Sequence, residues 1–171
     1  MKKIAFFDID GTLTSEIDGS IPVSAIEAIR AARANGNLMF INTGRCFQNV
    51  EERFRSIGFD GLVCGCGTNI YCEDREILHV SQTHDVTMEL LKAAQDADLD
   101  ILFESYKEVT FDRSRPLHDS EAIKLYRQFA SFDYHMPDPN TTPDFACDKF
   151  VTWFQKPAQR RLPAMHVSGQ D

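Results

Sequence analysis

Apolar and polar positions follow two different rhythms along this chain. Ile4 to Phe7 form a continuous apolar run ending in carboxylates, the pattern of a short buried strand whose C-terminal end opens onto a polar site. Pro22 opens a helix in which Val23, Ile26, Ile29 and Ala32 recur at helical spacing, and Asn35-Gly36 stops it. Leu38 to Ile41 reads as a second buried strand running into Asn42-Thr43-Gly44. Phe47, Val50, Phe54 and Ile57 mark a second amphipathic helix closed by Gly58, and Leu62 to Cys64 begins a third strand. Strand, helix, strand, helix, strand at this spacing predicts parallel pairing through right-handed crossovers, hence an α/β fold on an open parallel sheet.

Beyond Cys72 the strict alternation gives way to an α+β pattern. A strand-like run (Ile77 to Val80) precedes a helix (Val86 to Ala97), two strand-like stretches (Ile101 to Glu104, Glu108 to Phe111) and another helix (Glu121 to Phe132). Pro137 to Pro143 reads as a loop, and Lys149 to Phe154 as a last strand. The expected organisation is therefore a core over 1–72, a smaller inserted α+β domain over 73–156, and a tail over 157–171 that has no clear period.

Composition narrows the function classes. The 171 residues carry 18 Lys+Arg against 26 Asp+Glu, a net charge of −8, with 43% hydrophobic and 26% charged residues. That is ordinary for a globular chain and excludes disorder, collagen and a disulfide scaffold. An acidic balance argues against general nucleic-acid or anionic-membrane binding, although it permits a locally positive phosphate pocket. No stretch approaches the roughly 20 apolar residues of a membrane span. The apolar run after Lys2-Lys3 breaks at Asp8, short of the ~7–15 residues of a secretory signal, so a soluble, cytoplasmic protein is expected. Its five cysteines, an odd number, are expected to be reduced thiols.

Candidate chemistry concentrates at two strand ends. Asp8 and Asp10 flank one residue and lead into Gly11-Thr12. Positions two apart in an extended segment point the same way, so both carboxylates can reach one site, where they need a proton or a hard cation such as Mg²⁺. An Asx-rich turn explains an Asp-x-Asp alone equally well. What shifts the balance is Thr43-Gly44-Arg45 at the end of the neighbouring strand, because ligands of open parallel sheets bind at the carboxyl ends. Thr43 offers a hydroxyl, Gly44 an unobstructed amide and Arg45 a fixed positive charge, a set suited to phosphate oxygens. Together the two motifs point to phosphoryl transfer, with one carboxylate attacking phosphorus and the other moving protons.

Other motifs carry less. Cys64-x-Cys66, with Cys46 and Cys72, is poorly spaced for zinc. Gly65-Cys66-Gly67 lacks the third glycine of a dinucleotide fingerprint, and Ile70 continues a strand-like run. The five histidines are scattered. Glu104, Tyr106, Lys107 and Arg113 are polar groups available to meet a leaving group.

Phe6-Phe7-Asp8-Ile9-Asp10-Gly11-Thr12-Leu13 resembles the first motif of the haloacid dehalogenase-like hydrolases, and Thr43-Gly44-Arg45 the second motif of their Cof-type phosphatases. The stretch Val63 to Ile70 is similar to the third core strand before that subgroup's cap. The resemblance spans residues 1 to about 156. It implies Asp8 as nucleophile, Asp10 as general acid/base, Thr43, Gly44, Arg45 and Thr12 as the phosphate cradle, and Mg²⁺ on the Asp8 carboxylate and the Asp10 carbonyl. It further implies that 73–156 is a cap that closes over a small phosphorylated metabolite such as a sugar phosphate.

The same resemblance implies a lysine and a Gly-Asp…Asn-Asp metal motif after the cap, and neither is found. Lys149 and Lys156 lie in or at the end of the expected cap, and Gly169-Gln170-Asp171 is not the metal motif. The chain is thus expected to be a family member cut short. The rival readings are a catalytically impaired fragment or interaction module, a phosphomutase, and a receiver-type signalling domain. No oligomeric state follows from the sequence.

Overall fold

The computed structural model describes residues 1–154 other than 74, 107 and 133. The expected tail over 157–171 and Lys156 lie outside the described residues, as does Lys107. Contacts divide the chain into two compact units, Met1–Val80 and Ser81–Asp171.

The first unit carries a five-stranded sheet in the order β1-β2-β3-β4-β5. Its strands are β1 (Ile4–Phe7), β2 (Leu38–Asn42), β3 (Gly61–Cys64), β4 (Asn69–Cys72) and β5 (Arg75–His79). β1, β2 and β3 run parallel, with Phe6 beside Phe40 and Phe40 beside Gly61. Helix α1 (Val23–Ala34) makes the first crossover, and its Ile26, Ile29 and Ala32 pack with Ala5, Phe7, Met39, Ile41 and Leu62 on one face of the sheet. This is the α/β fold on a parallel sheet that the alternation predicted.

Two local features differ from the sequence pattern. The second helix, expected across Phe47 to Ile57, is a 3₁₀ turn (Phe47–Asn49) and one helical turn, α2 (Glu52–Arg55). Val50 and Glu51 between them are extended, with ψ of 98° and 152°. The expected apolar positions are still buried, Val50 and Phe54 at 0% exposure and Ile57 at 2%. Burial here follows the pattern while the backbone breaks at Val50 and Glu51, and the Glu51 carboxylate accepts from Arg45 and Arg53.

The run from Val63 to Ile70 is also not one strand. Gly65, Cys66 and Gly67 all have positive φ (60°, 60° and 98°), and three such residues reverse the chain. β4 therefore returns antiparallel to β3, and β5 adds antiparallel beyond it. The parallel sheet acquires an antiparallel extension.

The second unit is built around β6 (Asp100–Glu104), buried along its whole length, with β7 (Val109–Phe111) and β8 (Lys149–Trp153) antiparallel on either side. Ile101 and Phe103 join Leu91 and Ala94 of α3 (His84–Asp96), Leu99, Phe145 and Cys147 in one apolar cluster. Phe111, the register partner of Leu102, meets Tyr126 and Phe129 of α4 (Ser120–Ser131). Both helices have side-chain caps: Thr83 accepts from the Val86 amide, and Asp119 from those of Glu121 and Ala122. Buried Asp100 accepts from the His118 and Asp119 amides at 2.8 and 2.7 Å, anchoring the chain that enters α4.

Candidate active site

β1 leads into Asp8, whose backbone is still extended (φ −73°, ψ 157°). The chain then folds into one wide π-type turn over Ile9–Leu13. Its bonds run from the Leu13 amide to the Asp8 carbonyl (3.2 Å) and from the Thr14 amide to the Ile9 carbonyl (3.1 Å). Buried Ile9 and Leu13 pin this turn into the core, which leaves Asp8, Asp10 and Thr12 exposed. Burial of Ile9 and Leu13 on either side of Asp10-Gly11-Thr12 thus turns the polar members of the motif outward.

The second strand end lies beside the first, since β1 and β2 are parallel neighbours in register. Thr43 is 3% exposed; its amide donates to the Val63 carbonyl at 2.8 Å and its hydroxyl accepts from the Arg45 amide at 3.2 Å. The hairpin turn after β3 braces this loop. The Gly65 amide donates to the Arg45 carbonyl (2.8 Å) and the Cys66 amide to the Thr43 carbonyl (3.2 Å). A Cβ on Gly44 would stand 3.4 Å from Cys66 Sγ, so the exposed thiol flanks the glycine.

The guanidinium of Arg45 joins the two strand ends. Nη2 and Nε reach Asp10 Oδ1 and Oδ2 at 2.6 and 2.9 Å, and Nη1 reaches Glu51 Oε1 at 3.1 Å and the Asn49 carbonyl at 3.3 Å. Its plane lies 5.4 Å from the Phe54 ring centre, and Arg53 lies over the same ring at 4.7 Å. Arg45 holds the Asp10 carboxyl below the usual carboxylate range, against the opposing effect of burial. Burial works against ionised Glu51 too, but hydrogen bonds from Arg53 and Arg45 outweigh it and its carboxyl is likewise lowered.

Of the residues singled out from sequence, the structure joins Asp10 to Arg45 directly and sets Thr43 and Gly44 in the same loop. Among the described residues, no side-chain partner engages Asp8 or Thr12. Glu51 and the backbone of Gly65-Cys66 were missed. Nothing in the sequence marks them, because each acts through a loop closure and not through a motif. The other candidates are committed elsewhere: Lys149 pairs with Glu104 across β6 and β8 at 2.5 Å, and Arg113 donates to the Met136 carbonyl. No disulfide joins Cys46, Cys64, Cys66, Cys72 or Cys147.

The donor set for a cation is small and hard. Asp8 offers an exposed carboxylate, whereas the Asp10 carboxylate is occupied by Arg45, leaving its backbone carbonyl as the second oxygen. Among the described residues no group of three or more His, Cys, Asp or Glu is assembled. Two protein oxygens would leave most of the coordination of a Mg²⁺ ion to water and substrate, so binding through them alone would be weak.

The haloacid dehalogenase-like hydrolase family matches residues 5–162. The chain belongs to this family. A phosphoglycolate phosphatase of Staphylothermus marinus is 30% identical over 138 residues, covering 78% of this chain and 53% of that protein. A phosphatase of the same superfamily from Bacteroides thetaiotaomicron superposes with a TM-score of 0.71 at 20% identity, over 95% of this chain and 59% of that one. A subclass IIB sugar phosphatase superposes with a TM-score of 0.65 at 23% identity, over 82% of this chain and 54% of the other. The haloacid dehalogenase-like chain described here spans roughly half the length of each of these proteins. No helix among its described residues is long and apolar enough to cross a membrane.

Proposed function

We propose that the chain carries the nucleophile half of a phosphoric monoester hydrolase acting on small phosphorylated metabolites such as sugar phosphates. The observation that carries the reading is the Arg45 clamp. It ties the Asp-x-Asp turn of β1 to the Thr-Gly-Arg loop of β2 and so gathers carboxylates, a cation and spare amides at one rim. The sugar phosphatase and the phosphoglycolate phosphatase among its relatives support the substrate class.

In this reading an Asp8 carboxylate oxygen attacks phosphorus, the P–O bond to the leaving group breaks, and Asp10 gives that oxygen its proton. Water then attacks the aspartyl-phosphate, Asp10 takes the proton back, and phosphate leaves with Asp8 restored. A carboxylate gripped on both oxygens by a guanidinium is a poor acid. The entering phosphate dianion competes for Arg45, and the transfer of the guanidinium from Asp10 to phosphate oxygens is what readies Asp10. Thr43, the Gly44 amide and Thr12 hold the remaining oxygens. The Asp8 carboxylate and the Asp10 carbonyl would be the groups to hold a Mg²⁺ ion, which when bound would supply neutralising charge to the transferring group.

The test is phosphate release by the purified chain with Mg²⁺ and a panel of sugar phosphates, wild type against Asp8→Asn. Turnover confined to the wild type supports the assignment, and equal release from both removes it.

A further inference from the structure

Arg45 meets its two acids with different edges. The Nε–Nη2 edge faces the Asp10 carboxylate, whereas Nη1 alone faces Glu51 Oε1 and the Asn49 carbonyl. Glu51 is in turn gripped by a second guanidinium. Arg53 donates to Glu51 Oε2 through Nε at 2.8 Å and to Oε1 through Nη2 at 3.2 Å. Its remaining nitrogen, Nη1, donates to the Gly19 carbonyl at 2.8 Å. Gly19 belongs to the turn that follows the Asp-x-Asp motif, closed by bonds from the Ser15 amide to the Ser20 carbonyl and from the Gly19 amide to the Ser15 carbonyl. Glu51 is thereby braced against the same stretch of chain that carries Asp10.

The four charged groups all keep contact with solvent, so these pairs contribute little to folding. What they fix is direction, because a planar fork held at one end keeps its free edge aimed. The two acids differ in this respect. Asp10 takes the edge that a phosphate would need, and Glu51 takes the end that a phosphate can leave alone. Phe54, buried beneath both guanidinium groups, gives Arg45 and Arg53 a common floor.

We propose that Glu51 is a positioning residue: it holds the Nη1 end of Arg45 at the rim while the Nε–Nη2 edge passes from Asp10 to a phosphate oxyanion, and Arg53 braces it. This role rests on the phosphate reading of the site. Held at one end, the guanidinium can change partners without leaving, and its orientation is set before the anion arrives. Without Glu51, Arg45 would have to be immobilised by the anion itself, and ordering a long side chain on binding costs about tenfold in affinity. Charge alone predicts the opposite sign, since removing an acid beside the site would tighten an anion.

The test is titration of the whole chain with inorganic phosphate in the presence of Mg²⁺, followed by the ¹⁵N resonances of the arginine Nε–H groups. In the wild type phosphate should move the Arg45 signal and leave that of Arg53 in place, a readout that needs neither turnover nor a variant. Glu51→Ala, an exposed change with the circular dichroism unchanged, should weaken phosphate binding about tenfold and broaden the Arg45 signal. Glu51→Gln, which loses the charge but keeps an acceptor for Nη1, should lie between the two. Phosphate bound by Glu51→Ala as tightly as by the wild type, or more tightly, would overturn the proposal, as would an Arg53 signal that moves as far as that of Arg45. A wild-type chain that binds no phosphate would instead remove the phosphate reading, and the role of Glu51 with it.

Discussion

Arg45 closes on Asp10 with two nitrogens at once, Nη2 at 2.6 Å from Oδ1 and Nε at 2.9 Å from Oδ2. The planar fork matches the carboxylate, so the contact fixes orientation as well as charge. Its value to stability is small, because the Asp10 side chain is 62% exposed and solvent screens the pair. Arg45→Lys is therefore expected to cost no more than about 1 kcal/mol in folding. It should lower kcat/KM for a phosphate monoester about 100-fold, since a lysine cannot grip two phosphate oxygens as a fork. Thermal melting beside phosphate release separates the two effects. A loss of activity no larger than the loss of folded protein would show that the clamp is only structural.

Gly61 has to be glycine for a reason of space. A Cβ there would lie 2.2 Å from the Tyr71 carbonyl oxygen and 2.4 Å from the Phe40 ring. The ring can tilt, but the carbonyl belongs to β4, which pairs with β3 at this position, and cannot retreat without parting the strands. Gly61→Ala should destabilise the chain by about 2–3 kcal/mol, read from the urea midpoint. Adding Phe40→Leu should recover little, because the backbone collision remains.

The motif residues were legible because each stands at a boundary between an apolar run and a polar turn: Asp8 after Ile4–Phe7, Thr43 after Leu38–Asn42. Hydrophobic spacing also marked Val50, Phe54 and Ile57 as buried. It could not report that the chain is extended at Val50 and Glu51, since spacing records which side chains face the core and not the backbone path between them. Cys66 in a left-handed conformation was equally hidden, because a cysteine there carries no turn signature. The hairpin that braces the Thr43 loop follows from that one residue and its flanking glycines.

Stability should fall with acid through Asp60. The Arg33 guanidinium, 2.7 Å away, is the main reason its carboxyl is lowered; burial opposes this and the Met39 amide at 2.8 Å adds to it. A group lowered in the folded state contributes stability above its unfolded value, about 3.9, and loses it as pH falls through the folded value. Asp60→Asn should cost about 1 kcal/mol at neutral pH. The gap in melting temperature from wild type should hold down to about pH 5 and close below about pH 4. A gap that persists unchanged into acid would place the effect on the Met39 amide and not on charge.

Thiol reactivity should follow exposure. Cys66 is exposed, whereas Cys46, Cys64 and Cys147 are buried, and burial pushes the Cys64 thiol up to about 11. Alkylation of the native chain followed by mass spectrometry should modify Cys66 first and Cys64 last. Because Cys66 flanks Gly44, inorganic phosphate in the cradle should slow its alkylation without changing that of half-buried Cys72. Equal slowing at both cysteines would count against a phosphate site at Gly44.

The Glu104–Lys149 pair allows a double-mutant cycle within one sheet. Nζ of Lys149 lies 2.5 Å from Glu104 Oε2, with the two side chains 20% and 6% exposed, at directly opposed positions of β8 and β6. Removing the lysine takes the Nζ partner from a carboxylate that water barely reaches, so Lys149→Met should cost about 1–3 kcal/mol. Glu104→Gln keeps the shape and the hydrogen-bonding capacity of the acid but not its charge. Adding it to Lys149→Met should therefore recover about 1–3 kcal/mol relative to the sum of the single changes. Urea denaturation of the four proteins measures this coupling. Additivity within about 0.5 kcal/mol would mean that the two charges meet in solvent and not within the sheet.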